Sequence, residues 1–188
     1  MSFGKNSVYY RQVALLVQVL PLLSKYSSFA LKGGTAINMF VQSLPRLSVD
    51  IDLVYLPLDD RRKAHETIAL ELADMANNIR DVIRSSSVHE DLERGRLVIS
   101  LNNAQIKIEV SLNLRGSVLA PVTADIVGTA EELFGFASVQ MLDEKELYAG
   151  KLVAALDRQH PRDLFDVKML MDKGGLDADL IDVFLVYV

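Results

Sequence analysis

The segment from Ser48 to Tyr55, SVDIDLVY, constrains the fold of this chain most, because apolar and acidic side chains alternate along it. Every second residue from Val49 to Leu53 is apolar, whereas Asp50 and Asp52 are charged. Side chains two residues apart on a strand lie on the same face. The alternation therefore predicts a β-strand that places Asp50 and Asp52 side by side, at the edge of an otherwise apolar sheet.

Two neighbouring carboxylates repel each other, so Asp50 and Asp52 need a group of opposite charge to hold them together. Mg²⁺ prefers oxygen ligands and typically takes one or two carboxylates together with substrate phosphates. The pair therefore predicts a magnesium site. Taken alone, an Asp-x-Asp pattern is also compatible with an ordinary solvated strand face.

A glycine pair lies between a short apolar strand, Phe29–Leu31, and a short helix predicted over Ala36–Val41. Gly33 and Gly34 permit a tight turn, and Thr35 adds a hydroxyl at the start of the helix. Backbone N–H groups at a helix N-terminus bind anions such as phosphate. A phosphate site beside a metal-binding carboxylate pair is the arrangement used for phosphoryl or nucleotidyl transfer. A plain turn with a helix cap is the alternative for these residues alone.

The order LKGGTA followed by RLSVDIDL resembles the nucleotidyltransferase superfamily that includes DNA polymerase β. Within it, the chain is similar to the AbiEii/AbiGii-type nucleotidyltransferase toxins of bacterial toxin–antitoxin and phage-defence systems, over roughly residues 10–188. The resemblance implies an α/β (α+β) fold of the polymerase β type, with a mixed twisted sheet and a helical C-terminal part. It also implies nucleotide binding by Gly33, Gly34, Thr35, Arg46 and Ser48.

A second alternating segment, Gln105–Leu112, follows a predicted strand at Leu97–Leu101 and an Asn102-Asn103 turn. In a polymerase β-like sheet a third carboxylate comes from a strand beside the acidic pair. The resemblance therefore implies that Glu109 joins Asp50 and Asp52, as a ligand in a two-Mg²⁺ site or as the base for an attacking hydroxyl. An exposed strand glutamate beside Lys107 is the alternative.

Two helices are predicted near the C-terminus, one from the cap residue Asp143 to about Arg158 and one beginning at Pro161. Periodicity alone predicts that Leu164, Val167, Leu170 and Met171 are buried. It leaves Arg162 and Asp166 as a surface ion pair of little energetic weight.

The order of Lys151, Arg158 and the R-D-x-x-D pattern of residues 162–166 resembles the C-terminal signature of the same toxin family. That resemblance implies that Lys151 reaches the nucleotide phosphates and neutralises charge during transfer. It also implies that Arg162, Asp163 and Asp166 border the same cleft, with the two aspartates in the catalytic set.

The remaining pattern predicts a helix over Ser7–Tyr26, with a kink at Pro21, and a helix over Arg61–Arg84, capped by Asp59. Residues 117–142 are expected to be loop and short strand, ending in an edge strand at Phe136–Leu142. The domain boundary is placed after residue 142, giving a nucleotidyltransferase core over 1–142 and a helical part over 143–188. The apolar run Val183–Val188 suggests that this helical part is incomplete.

Composition narrows the class of protein. The chain has 188 residues, a net charge of −5 and no cysteine, which excludes a disulfide framework and thiolate chemistry. No basic tail is present, so any RNA contact would need a local patch. The longest apolar stretch, Val13–Leu23, is too short to span a bilayer. We expect a cytoplasmic protein that does not enter the membrane.

The combined interpretation is a Mg²⁺-dependent nucleotidyltransferase toxin that transfers a nucleotide from a nucleoside triphosphate to an acceptor hydroxyl and releases pyrophosphate. The resemblance favours an RNA acceptor, with a tRNA 3′ end as one case, and an antitoxin encoded nearby. Two alternatives remain open. One is transfer to a protein or small molecule, as in AMP transfer or antibiotic modification, and the other is a non-catalytic nucleotide-binding regulator. The donor base, the acceptor and the oligomeric state stay undetermined by the sequence.

Overall fold

The computed structural model describes residues 7–188, so the first six residues of the predicted core domain lie outside the described part. Seven strands form one sheet: β1 (Phe29–Lys32), β2 (Asp50–Tyr55), β3 (Ser87–Asp91), β4 (Arg96–Leu101), β5 (Ala104–Arg115), β6 (Val122–Asp125) and β7 (Ser138–Met141). The helices are α1 (Val8–Val19), α2 (Gly33–Ala36), α3 (Arg61–Val82), α4 (Gly128–Phe134), α5 (Glu144–Arg158), α6 (Pro161–Asp172) and α7 (Ala178–Tyr187).

The sheet is mixed, in the order β3-β4-β5-β2-β1-β7-β6. Strand β2 is parallel to β5 and antiparallel to β1, and β1 is parallel to β7. The predicted mixed sheet with a helical C-terminal part is confirmed. The expectation that the acidic pair lies at the edge of the sheet is wrong, because β2 is the central strand.

Strand β2 forms where the alternation predicted it, and its two faces have opposite characters. Ile51 and Leu53 are fully buried on one face, and each buried side chain of this size contributes about 1.5–3 kcal/mol to folding. Helix α3 covers part of the core with residues at helical spacing, namely Ala64, Ile68, Leu72, Met75 and Ile79. The acidic residues of β2 are left on the opposite face.

The two long N-terminal helices follow the sequence with small differences. Helix α1 is followed from Leu20 by a 3-10 helix that holds Pro21 in its first turn, so the helix type changes where a kink was predicted. Helix α3 is capped by Asp60, whose side chain accepts a hydrogen bond from the Lys63 backbone N–H at 3.0 Å. The predicted cap, Asp59, instead accepts from the Tyr55 hydroxyl at 2.8 Å.

Strand β3 and helix α4, which lie between α3 and α5, were not predicted. Strand β3 is an edge strand with little apolar content, so it lacks the pattern of a buried strand. Residues 117–142 contain β6 and α4, and β6 occupies the other edge. The predicted edge strand, β7, therefore lies inside the sheet, between β1 and β6.

Helix α6 buries only part of the stripe that periodicity predicted, since Leu170 is buried and Val167 partly buried. Leu164 and Met171 are about half exposed, whereas Asp163 and Asp166 are almost fully buried. Charged groups are buried in this way only when they are paired, and the next section describes their partners. Within the described residues, no helix is long and apolar enough to cross a membrane.

Candidate active site

A cavity of about 910 Å³ lies between the acidic face of the sheet and the C-terminal helices. Its lining brings together most of the predicted site residues, which are Gly33, Gly34, Arg46, Ser48, Asp50, Asp52, Glu109, Lys151, Arg162 and Asp163. Apolar and aromatic side chains also line it, among them Val54, Leu58, Leu147, Val153 and Tyr187. The volume is in the range of small-molecule sites.

The three predicted carboxylates occupy one face of two neighbouring strands. Asp52 on β2 is the register partner of Glu109 on the parallel strand β5, and Asp50 is the partner of Lys107. Burial raises the pKa of Asp52, and the negative charges of Asp50 and Glu109 raise it further. The three acidic groups are therefore close enough to repel one another.

Basic side chains already offset part of this repulsion. Lys107 Nζ lies 3.3 Å from Glu109 Oε2 and 3.6 Å from Asp50 Oδ1. Arg96 Nη2 lies 2.6 Å from Glu109 Oε1. Glu109 is thus held by two cations, whereas Asp52 has no basic group in direct contact among the described residues.

Asp50 and Asp52 fit a divalent ion by the chemistry of their donors, since both present carboxylate oxygens to the same cavity. Glu109 can serve as a third ligand only if one of its present partners, Lys107 or Arg96, moves away and the metal takes its place. Over residues 7–188 no three acidic, imidazole or thiol side chains are grouped closely enough to hold one ion. The pair is therefore the centre of the candidate metal site.

The glycine pair allows other side chains to approach the backbone closely. Gly33 has φ +75°, and a Cβ there would lie 2.6 Å from Asp52 Oδ2. A Cβ on Gly34 would lie 2.8 Å from Arg46 Nη2 and 2.9 Å from Ser48 Oγ. Both glycines are therefore needed for Asp52, Arg46 and Ser48 to approach the backbone this closely.

Thr35 does not line the cavity. Its side chain is fully buried, and its hydroxyl donates a hydrogen bond to the backbone carbonyl of Asp50 at 2.6 Å. The hydroxyl fastens the start of α2 to β2, so it positions the acidic pair. The predicted direct contact between this hydroxyl and a nucleotide has no support in the arrangement.

A buried ion cluster joins α5 and α6 to the segment before β2. Lys151 Nζ lies 2.9 Å from Asp163 Oδ1 and 3.2 Å from Asp166 Oδ2. Arg46 Nε donates to Asp166 Oδ1 at 2.7 Å, and Arg158 Nε donates to Asp163 Oδ2 at 2.6 Å. The side chains of Lys151, Asp163 and Asp166 are at most 7% exposed.

The cluster explains how α6 can bury two aspartates. Burial acts to raise the pKa of Asp163, but hydrogen bonds from Arg158 and Lys151 outweigh it and hold the pKa at about 2. Asp166 also accepts a hydrogen bond from Asn38 Nδ2 at 3.2 Å. Both carboxylates are therefore paired with basic groups inside the protein.

This arrangement changes the expected partners of the C-terminal residues. The predicted surface pair between Arg162 and Asp166 does not form, because Asp166 is bound by Arg46 and Lys151. Arg162 is exposed at the rim of the cavity. Lys151 lines the cavity, but its ammonium group is held by two carboxylates.

Sequence reasoning did not single out Lys32, the last residue of β1. Lys32 is the register partner of Asp52 and lines the same cavity. Burial lowers its pKa, the nearby Asp52 charge opposes this, and Lys151 and Arg158 lower it further. The sequence did carry a signal for Lys32. It directly precedes Gly33, and as the neighbour of the buried Leu31 on β1 its side chain lies on the opposite face of the strand.

The cavity lining includes another buried carboxylate, Glu146 of α5. It accepts hydrogen bonds from the backbone N–H groups of Val118 and Leu119, at 2.9 and 3.0 Å, and from the Tyr187 hydroxyl at 2.8 Å. Burial and the Glu146 charge raise the pKa of Tyr187. Glu146 thus fixes the 118–119 loop and α7 to α5.

Comparison with known proteins agrees with the nucleotidyltransferase interpretation of the sequence. The family model described as "Nucleotidyl transferase AbiEii toxin, Type IV TA system" matches residues 14–188. No curated protein sequence matches the chain.

Two solved structures share the fold. MenT4, a nucleotidyltransferase toxin from Mycobacterium tuberculosis, is 18% identical with a TM-score of 0.73; the match covers 96% of this chain and 64% of MenT4. JHP933 from Helicobacter pylori is 17% identical with a TM-score of 0.61; the match covers 97% of this chain and 74% of JHP933. The likeness to MenT4 confirms the predicted nucleotidyltransferase fold, and this chain spans less than two thirds of MenT4's length.

Proposed function

This chain belongs to the AbiEii family of nucleotidyl transferase toxins, and from that membership we propose that it transfers a nucleotide from a nucleoside triphosphate to an acceptor hydroxyl. The observation that carries the proposal is the pair Asp50 and Asp52. Their carboxylates lie on one sheet face, in a cavity that also contains Gly33 and Gly34. In this proposal residues 1–142 form the catalytic core, and residues 143–188 form the helical part that closes the cleft.

Asp50 and Asp52 would hold Mg²⁺, with Glu109 as a further ligand or as the base. Bound there, the metal would stabilise negative charge on the reacting phosphoryl group. The acceptor oxygen forms a bond to the α-phosphorus while the bond from that phosphorus to pyrophosphate breaks. The acceptor proton goes to a carboxylate, for which Glu109 is the candidate, or to water. A two-metal site needs Glu109 to give up a cation, Lys107 or Arg96.

The residues around the pair would bind and orient the nucleotide. Backbone N–H groups at Gly33 and Gly34, together with Ser48 and the exposed Arg162, would contact phosphate oxygens. Arg46, which Asp166 holds beside Gly34, would also contact the nucleotide. We assign Asp163 and Asp166 to positioning, because their oxygens are bound to the basic groups of the cluster. Lys151 would support nucleotide binding from within that cluster.

RNA is the acceptor that the family membership favours, with a tRNA 3′ end as one case, and blocked translation would be the toxic outcome. A separate antitoxin encoded nearby agrees with the type IV toxin–antitoxin description. A protein or small-molecule acceptor is the second candidate. The net charge of −5 favours this candidate, because RNA attracts basic surfaces.

A transfer assay tests the proposal. The protein is mixed with Mg²⁺, total bacterial RNA, lysate protein and each α-labelled nucleoside triphosphate in turn. Asp50→Asn with Asp52→Asn serves as the inactive variant. Asp74→Asn is the matched control, because Asp74 is an exposed carboxylate outside the cavity, paired with Lys25.

Label on an RNA band that disappears in the double variant but persists in Asp74→Asn would support the RNA acceptor and identify the donor base. Label on protein would favour the second candidate. If the double variant labels an acceptor as well as the wild type does, the acidic pair is not the catalytic centre. Glu109→Gln should lower the rate, because it removes a ligand or base.

A further inference from the structure

Most cations that line the cavity are already bound to a carboxylate. Lys107 is shared by Asp50 and Glu109, and Lys151 is shared by Asp163 and Asp166. Arg46 and Arg158 are likewise paired, with Asp166 and Asp163 respectively. An ammonium or guanidinium group that already contacts carboxylates has less charge to offer an incoming anion, because part of it is offset.

Within residues 7–188, Lys32, Arg115 and Arg162 line the cavity without any carboxylate oxygen inside 4.0 Å. Arg115 pairs in register with Tyr55, three residues along β2 from Asp52, which is about 10 Å at the rise of a strand. Arg162 is exposed at the rim. Lys32 is the member of this group that stands beside the acidic pair.

The position of Lys32 follows from the sheet. It is the register partner of Asp52 on the antiparallel strand β1, and neighbouring strands are about 4.8 Å apart. Register partners carry their side chains on the same face, so Lys32 and Asp52 enter the cavity together. The next residue is Gly33, whose lack of a side chain leaves room for the Asp52 carboxylate.

We infer that Lys32 is the lysine that contacts the triphosphate, binding oxygens of its β- and γ-phosphates and neutralising the charge on the departing pyrophosphate. This inference rests on the proposed nucleotidyl transfer. When the bond from the α-phosphorus to its bridging oxygen breaks, the electron pair stays with pyrophosphate. An ammonium group free of other anions stabilises that charge, and no proton needs to move from Lys32.

The sequence suggested Lys151 for this role, and the ion cluster argues against it. To reach phosphate, Lys151 would have to leave two buried carboxylates, and those would then remain inside the protein with fewer partners. Lys32 breaks no ion pair when it binds an anion. Lys151 therefore acts as a positioning residue that keeps Asp163 and Asp166 in place.

A purely structural role for Lys32, as a distant counter-charge to Asp52, is the competing explanation. The two explanations differ in how Lys32 affects ligands of different charge. A triphosphate-binding lysine contributes to the affinity for a polyphosphate and contributes little to a nucleoside monophosphate. A counter-charge to Asp52 gives no such selectivity.

The test measures equilibrium binding by calorimetry in EDTA, with inorganic tripolyphosphate, a non-hydrolysable nucleoside triphosphate and a nucleoside monophosphate as the ligands. Lys32→Met removes the charge and keeps a long apolar side chain, and Lys32→Arg keeps the charge. Lys25→Met is the matched control, since Lys25 is an exposed lysine paired with Asp74. Circular dichroism establishes that each variant is folded.

We expect Lys32→Met to bind tripolyphosphate and the triphosphate analogue about tenfold or more weakly, the usual effect of losing a charge-assisted contact. Monophosphate binding should change less than about twofold, and Lys32→Arg should recover much of the loss. Lys25→Met should match the wild type for all three ligands.

Unchanged tripolyphosphate affinity in Lys32→Met, with the wild type binding normally, would overturn the assignment of Lys32 and leave the proposed transferase intact. Equal weakening for all three ligands would also overturn it, in favour of the structural role. If the wild type binds neither tripolyphosphate nor the analogue, in EDTA or in a parallel titration with Mg²⁺, the proposed function itself fails and this inference fails with it.

Discussion

Replacing Asp166 with asparagine removes one negative charge from the buried cluster while almost preserving the shape of the side chain. Asp166 is 1% exposed and contacts Arg46, Lys151 and Asn38. In the variant Lys151 keeps Asp163, but Arg46 loses its only carboxylate partner within the described residues. The perturbation therefore leaves a largely buried guanidinium group without an opposite charge.

The expected cost follows from these contacts. Removing one partner of a buried ion pair costs about 3–5 kcal/mol, and the remaining Lys151–Asp163 contact places Asp166→Asn near the lower end, at about 3 kcal/mol. For a chain of this size each kcal/mol lowers the melting temperature by about 2–4 °C. We expect a decrease of about 6–12 °C, measured together with urea unfolding at neutral pH.

Asp172→Asn is the matched control, because Asp172 lies on the same helix and pairs with Lys168 on the surface. Its side chain is 54% exposed, so its loss should change stability by no more than about 0.5 kcal/mol. If Asp166→Asn stays within about 1 kcal/mol of the wild type, the cluster does not stabilise the fold and the reasoning is refuted.

Two further predictions concern Asp163 and the glycine pair. The pKa of Asp163 is held at about 2, below its ordinary value of 3.8, so its stabilising contribution is complete above about pH 5 and declines as the pH falls towards 2. Between neutral pH and about pH 2, the free energy of unfolding should therefore fall by about 2 kcal/mol less in Asp163→Asn than in the wild type. Equal decreases would contradict the lowered pKa of Asp163. Gly33→Ala should destabilise the protein by about 1–3 kcal/mol, because of its positive φ and the Asp52 carboxylate. Gly150→Ala, inside α5 with its nearest contact at 3.7 Å, should gain about 0.5–1 kcal/mol, and similar unfolding midpoints for the two variants would contradict the close approach.

The part of the site that lies on β2 could be predicted because its signal is local. Alternation alone placed Asp50 and Asp52 on one face, and the turn residues Asn102 and Asn103 both take the positive φ that a tight hairpin needs. The neighbouring strand then brought Glu109 into register with Asp52. These features depend on residues close together in sequence or on the regular geometry of a sheet.

The burial of Asp163 and Asp166 could not be predicted by periodicity, which assigns charged residues to the outer face of a helix. For Asp166 the partner that reverses this rule is Arg46, 120 residues away in sequence. For Asp163 the partners are Lys151 and Arg158 of the preceding helix. Strand β3 was missed for a related reason, since an edge strand needs few apolar residues. A distant partner decided the burial of Asp166, whereas β3 forms by pairing with β4, the next strand in the chain.

The position of Lys107 bears on how the protein folds before it binds metal or substrate. By standing between Asp50 and Glu109, it lets the chain fold around a group of acids with no metal present. A structural zinc site, by contrast, cannot form until its ion arrives. A chelator should therefore abolish transfer yet leave a folded protein with an unchanged circular dichroism spectrum. On the proposed mechanism, the protein would fold without metal and would become active only when Mg²⁺ binds.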